Sequence, residues 1–234
     1  MNPDQEGVIQ LLPEDLHDHV KQLQQFPDAR RMFDDKWTVA LVTDLRRLVS
    51  AQPSVRVGDA GDDGGAESDL RSIAHVTLPT QRPPAELPAE FDPALQVWKI
   101  TSRSPNVRIT NKYGSEFREG FFTFGFIVEV LTSFLSVAQY RGRLILRDGY
   151  HRAYRLISSG VLAAPVFLRA YVDDESVFTK KAPSERIWTG DRPPLLGDFT
   201  NDVVARDIWL PRHDTTLYIG ATPPGLSVDP RANR

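Results

Sequence analysis

The stretch Arg143-Leu144-Ile145-Leu146-Arg147-Asp148-Gly149-Tyr150-His151-Arg152 constrains the fold more than any other. Three consecutive aliphatic residues read as a buried strand, and Asp148-Gly149 ends it. Apolar side chains then recur at helical spacing. Tyr150, Ala153, Tyr154 and Ile157 fall at i, i+3, i+4 and i+7, with Leu156 beside them. Gly160 is placed to close that helix as its C′ residue. The helix opens on cations. His151 and Arg152 in its first turn face the positive end of the helix dipole, which is unfavourable by a few tenths to about 1 kcal/mol each. Arg155 stands one turn beyond His151, and cations at i and i+4 repel. An anion seated among them removes both penalties, and the free N–H groups of a helix N-terminus make a ready phosphate site.

The charge distribution points to the same segment. The chain of 234 residues has a formal net charge of −3, which argues against a general nucleic-acid binder. Residues 101–155, however, hold nine Lys and Arg against four Asp and Glu, about +5, and the rest of the chain carries about −8. There is no cysteine, so disulfides, thiolate metal sites and cysteine nucleophiles are excluded. The polar, acidic start Met-Asn-Pro-Asp-Gln-Glu is unlike a secretory signal. Residues 120–138 are nearly long and apolar enough to span a bilayer. Glu129 near the middle, the interrupting Thr and Ser residues, and the alternation at Phe122-Thr123-Phe124-Gly125-Phe126 make them a buried core segment instead. A cytoplasmic protein that does not engage a membrane is expected.

Along the chain, residues 13–51 read as two amphipathic helices. One carries Leu16, Val20 and Leu23. The second runs from Asp28 to Ala51 with Met32, Phe33, Trp37, Leu41, Leu45 and Leu48 close to an i, i+4 stripe. Residues 54–69, rich in Gly and Asp, read as a flexible loop. His75 to Leu95 carries five prolines and reads as extended chain with at most short edge strands. Gln96–Ile100 and Asn106–Thr110 read as strands, and Asn111-Lys112-Tyr113-Gly114 as a turn. Phe134–Tyr140 and Arg143–Arg147 form a hairpin about Arg141-Gly142. Pro165–Tyr171 is a further strand, and Thr216–Ile219 a short one in a Pro-rich tail whose last ten residues are expected to be disordered. The expected fold is α+β, a small mixed sheet with the helix after Gly149 packed on it. The expected division is an N-terminal helical segment over 1–53, a linker over 54–69, an α+β core over 70–172 and an irregular extension over 173–234.

Residues Leu135–Tyr171 resemble the core of the ParB/sulfiredoxin-like superfamily. The pattern is a strand ending in Gly-x-His/Arg-Arg, a helix, a Gly, and a strand beginning near Val-Pro-Val. This chain has Leu144-Ile145-Leu146, Gly149-Tyr150-His151-Arg152, Gly160 and Ala164-Pro165-Val166. The resemblance implies a nucleotide-binding core in which helix-terminal amides and the motif Arg hold phosphates. It nominates Gly149, His151 and Arg152 as phosphate ligands, with Tyr150 and Arg155 among the ligand-side positions. In that superfamily an upstream strand also supplies an Arg, for which Arg108 is the preferred match. The implied ligand is a nucleoside triphosphate, ATP or CTP, with or without Mg²⁺, and the implied activity is NTP-dependent phosphotransfer or nucleotide hydrolysis. The chain departs from the pattern in three ways. Arg155 replaces a small residue. Tyr150 stands where sulfiredoxin chemistry requires cysteine, which rules that reaction out. No helix-turn-helix signature follows the core, which argues against specific DNA binding.

Two carboxylates are candidate catalytic groups. Asp148 suits the N-cap position, where its carboxylate accepts backbone N–H groups, and could instead orient His151 or a metal-bound water. Glu129 would act as a general base if burial in a cleft raised its pKa. Arg103, Lys112 and Arg118 could converge on the same anion, although each is more commonly a solvated surface charge. Glu116 with Glu119, or Asp173-Asp174-Glu175, could hold Mg²⁺ beside phosphates, but their spacing is unspecific and no dedicated metal site is expected. His17 and His19 point about 200° apart on a helix and read as surface residues rather than a metal pair. The competing reading is a non-catalytic module whose basic centre docks an acidic or phosphorylated partner and whose N-terminal helices could mediate homo-oligomerisation.

Overall fold

A computed structural model describes residues 5–32, 36–55, 69–82, 84, 86–104, 106–114, 124–172, 185–209 and 214–220. The chain divides into two compact units. The first comprises residues 1–82 and 132–208, the second residues 83–131 and 209–234. The first mixes strands and helices in the α+β manner, while the described elements of the second are all strands, and the boundaries differ from those read along the sequence. Residues 5–50 contribute three strands to the core sheet as well as two short helices, and residues 83–131 leave it. Of the linker expected over 54–69, residues 56–68 lie outside the described residues, as does the tail beyond 220.

In the first unit the elements are β1 (Ile9–Gln10), α1 (His17–Gln25), α2 (Pro27–Met32), β2 (Trp37–Val42), β3 (Val49–Ser50) and α3 (Leu70–Thr77). After residue 131 come β8 (Ser136–Tyr140), β9 (Arg143–Asp148), α4 (Tyr150–Ser158), β10 (Ala164–Ala170) and α5 (Glu185–Thr189). The second unit holds β4 (Ala89–Asp92), β5 (Val97–Ser102), β6 (Val107–Gly114), β7 (Phe124–Val130) and β11 (Thr215–Gly220). The first unit is built on a six-stranded mixed sheet in the order β1-β2-β10-β8-β9-β3. β2 runs antiparallel to β10, β10 parallel to β8, and β8 and β9 form a hairpin. At the hairpin tip both Arg141 and Gly142 have positive φ, 48° and 73°, as a type I′ turn requires.

The helix expected over Asp28–Ala51 is replaced by α2, β2, a 3₁₀ turn at Leu45–Arg47 and β3. The same residues that make an i, i+4 stripe also alternate, as Trp37, Val39 and Leu41, and the β-branched Thr38, Val39 and Val42 favour the extended form. Partners then decide. β2 pairs with β10 over six residues, from Ala164↔Val42 to Arg169↔Trp37. Conversely, the extended chain expected from His75 is a helix at its start. Asp69 caps α3 by accepting from the N–H groups of Arg71 and Ser72. Asn111–Gly114, expected as a turn, continues β6 past a register shift at Ile109/Asn111.

One face of the sheet packs under α4. Tyr150, Ala153, Leu156 and Ile157 from the helix meet Val42, Leu135, Val137, Leu144, Leu146 and Val166. On the opposite face, Leu23, Trp37, Leu78, Phe134 and Phe167 form one apolar cluster, and Ala138, Tyr140, Ile145 and Trp188 another. Edge strand β3 is covered. The Ser50 N–H donates to the Pro194 carbonyl, and Leu196 N–H to the Leu48 carbonyl.

In the second unit β4, β5 and β11 form one antiparallel sheet, and β6 with β7 a separate ribbon. The described part of the apolar stretch over 120–138 is strand over Phe124–Val130 and again from Ser136, with irregular chain between, and Phe126 and Ile127 are exposed, so β7 is not the buried core segment expected. No described helix is long and apolar enough to cross a membrane.

Candidate functional site

β9 delivers the chain to Gly149, which adopts the left-handed conformation at φ +90° and forms the N-cap of α4. A Cβ there would stand 2.6 Å from Leu135 Cδ1 and 3.1 Å from Leu135 Cα, so the position demands glycine on both conformational and steric grounds. Gly149 has no side chain to cap the helix, and the first turn contains no acidic residue. The Asp148 carboxylate turns back instead. Its Oδ1 accepts from the Gly149 N–H at 2.8 Å and its Oδ2 from the Ser133 hydroxyl at 3.4 Å. Asp148 is an exposed residue whose carboxyl nevertheless has many protein atoms around it. That loss of solvation raises its carboxyl above the ordinary Asp value, against the opposing pull of the Gly149 N–H, Arg152, Ser133 and Arg147.

Arg152 is half-buried at the same corner. Its Nη1 donates to the carbonyls of Ser133 at 3.0 Å and Thr77 at 3.3 Å, which ties α4 to the end of α3 and to the segment before β8. Burial lowers its pKa, Asp148 opposes that, and the like charge of Arg155 adds to it. An arginine remains cationic under such a shift. His151 is exposed on the first turn and Arg155 half-exposed.

Tyr150 sits in the core rather than on the ligand side. It is 8% exposed, its hydroxyl donates to the Leu146 carbonyl, and it accepts from the Ala51 N–H at 3.2 Å. Burial pushes its pKa well up. Tyr150 therefore fastens α4 to β9 and to the chain leaving β3.

The other nominated residues lie elsewhere. Arg108 and Glu129 belong to the second unit, where they are directly opposed cross-strand partners on β6 and β7. Arg108 is exposed, and its Nη1 donates to the Val107 carbonyl. Arg103 and Lys112 are exposed in the same unit. Arg118, Glu116, Glu119 and Asp173-Asp174-Glu175 lie outside the described residues. Among the described residues no group of three or more His, Asp or Glu is placed to hold a metal. His17 is exposed as expected, but His19 is not a surface residue. It is 9% exposed, bonds through Nε2 to the Leu78 carbonyl at 2.8 Å, and meets His75 edge-on at 4.7 Å between ring centroids.

Sequence reasoning missed Ser133 and the Thr77 carbonyl. Neither carries a local signal, because each reaches the site through tertiary packing. The chain matches no family model, no curated protein and no solved structure. The residues themselves must carry the functional reading.

Proposed function

We propose that the N-terminus of α4 binds the phosphates of a nucleoside triphosphate, ATP or CTP, in the manner that the resemblance to the ParB/sulfiredoxin-like superfamily implies. The observation that carries this reading is the conformation of Gly149. It opens a nine-residue helix with no side-chain cap and with His151 and Arg152 in its first turn. The first-turn amides of Tyr150, His151 and Arg152 are the donors that an oxyanion would use. His151 and the remaining guanidinium nitrogens of Arg152 supply positive charge beside them. A Mg²⁺ accompanying the triphosphate would draw its ligands from the phosphates and water, with Asp148 as an adjacent carboxylate. If turnover occurs, as phosphotransfer or hydrolysis, Asp148 is the proton acceptor this reading assigns, since it is the carboxylate at the entry to α4.

The test is a thermal-shift panel with ATP, CTP, GTP and their diphosphates, each with and without Mg²⁺. A ligand at 100 times its Kd adds about 2.7 kcal/mol of stability, a shift of several degrees for a chain of this size. The expected result is a selective shift that His151→Ala weakens and Arg152→Lys removes. Lysine keeps the charge but loses the planar donor set.

One observation favours a second reading. Arg152 already spends Nη1 on two backbone carbonyls, while His151 beside it is exposed. In this reading the basic turn docks an acidic or phosphorylated partner without turnover. A flat nucleotide panel, with partner binding lost on joint neutralisation of His151, Arg152 and Arg155, would select it.

A further inference from the structure

The face of the sheet opposite α4 carries its own cationic cluster. Arg169 on β10 is the register partner of Ala138 on β8, and Ala138 is in turn the partner of Ile145 on β9. Paired residues share a face, and alternation along β8 brings Ser136 to that same side. A register shift opposite Ser136 leaves Arg147 as the unpaired residue of β9, and its contacts with Trp37 and Tyr171 place it on this face. Arg147 and Arg169 thus flank β8, whose small residues Ser136 and Ala138 form the floor between them. The two side chains converge further out. The Arg147 guanidinium lies 5.7 Å from the Trp37 ring centre and 5.6 Å from that of Tyr171, and Arg169 lies 5.8 Å and 4.9 Å from the same two rings. Arg147 Nη1 also donates to the Tyr171 hydroxyl at 2.7 Å. Both arginines are half-buried and retain solvent contact.

Stacking two cations on one pair of rings is favourable for each guanidinium alone, but it crowds like charges in a poorly solvated place. A guanidinium beside aromatic rings can still offer N–H groups to a tetrahedral oxyanion, and Arg147 commits Nη1 to the Tyr171 hydroxyl. A second observation points the same way. Ser136 is fully buried on the strand that runs between those of the two arginines, with Phe167 and Asp148 as its register partners, and its hydroxyl has no hydrogen-bond partner among the described residues. Buried hydroxyls without partners are rare, and each calls for a physical reason.

We infer that this face binds a tetrahedral dianion, a phosphoryl or sulfuryl group, held between Arg147 and Arg169 with the Ser136 hydroxyl as a neutral donor. The site lies on the sheet face opposite α4 and does not depend on nucleotide binding there, although Arg147 also acts on the Asp148 carboxylate at the start of that helix.

The test uses the intact chain, titrated with inorganic phosphate, phenyl phosphate and sulfate at constant ionic strength set by chloride. Binding is read from the arginine Nε–Hε resonances, assigned with Arg147→Lys and Arg169→Lys. Saturable shifts of both arginines are expected. Either lysine variant should weaken affinity by about tenfold or more, and Arg152→Lys should leave it unchanged. Ser136→Ala removes an unsatisfied hydroxyl, so it should fold at least as well and yet bind the anion several-fold more weakly. Preference for phenyl phosphate over the inorganic ions would identify an organic phosphoryl ligand, and parity would identify the free ion. Shifts that grow without saturation, or affinity unchanged in all three variants at this face, would overturn the inference.

Discussion

Gly149 is the residue on which the site turns. At φ +90°, with Leu135 packed against the place a Cβ would occupy, it lets β9 pass into α4 without an intervening loop. Alanine there must adopt a left-handed backbone and displace a fully buried leucine. The expected cost is about 2 kcal/mol or more, measurable as a lowered midpoint in urea with an unchanged slope. Arg152 shows why residue-scale reading from sequence is incomplete. Its position in the first turn was legible, and so was the penalty of a cation there. Its two acceptors are carbonyls of Thr77 and Ser133, 75 and 19 residues away. No pattern of side chains announces a carbonyl. Tyr150 illustrates the converse. Its place in the apolar i, i+3, i+7 series already marked it for the core, and that series outweighed its neighbourhood in the motif.

At the scale of elements, what was legible depended on how local the deciding physics was. α4, the Arg141-Gly142 hairpin and the Gly160 terminus depend on neighbours within a few residues, and each lies where the sequence put it. β2 depends on β10, more than 120 residues away, and its helical reading failed because an i, i+4 stripe and a strand alternation coincide over Trp37–Leu41. α3 was hidden by the Gly- and Asp-rich stretch beside it, although Asp69 is a good N-cap. The docking of α1 near the end of α3 carries a pH dependence. Burial lowers the His19 pKa below its ordinary 6.5, the Leu78 carbonyl opposes that, and His75 adds to it. A histidine with a depressed folded pKa contributes stability that is present above 6.5 and is lost as pH falls through the folded value. The melting temperature should therefore drop between about pH 7 and pH 5. His19→Gln should flatten that part of the profile in thermal scans across the range.

At the scale of the whole molecule, residues 83–131 are an insertion in the first unit, and one buried carboxylate marks where it departs and returns. Asp28, 4% exposed, pairs with Arg82 at 2.6 and 2.9 Å and accepts from the Thr132 hydroxyl at 2.8 Å and N–H at 3.2 Å. Arg82 and Thr132 are the last and first residues of the first unit on either side of the insertion. Desolvation works to raise the Asp28 carboxyl, but Arg82 and Thr132 outweigh it and hold it below the ordinary value. Asp28→Ala removes the shared acceptor of the Arg82 guanidinium and of the Thr132 hydroxyl and N–H. The expected cost is about 2–3 kcal/mol, together with faster proteolysis at the junctions in limited digestion. None of this was readable from sequence, because the partition of strands between two units depends on pairings such as β5 with β11 that span the chain. The central claim remains local to α4, and amide resonances of the intact protein test it most directly during titration with ATP and CTP. The account predicts saturable shifts of the Tyr150, His151 and Arg152 amides with one triphosphate, sharing a single dissociation constant. If those three amides stay fixed at saturating nucleotide, the phosphate-binding role of α4 is wrong.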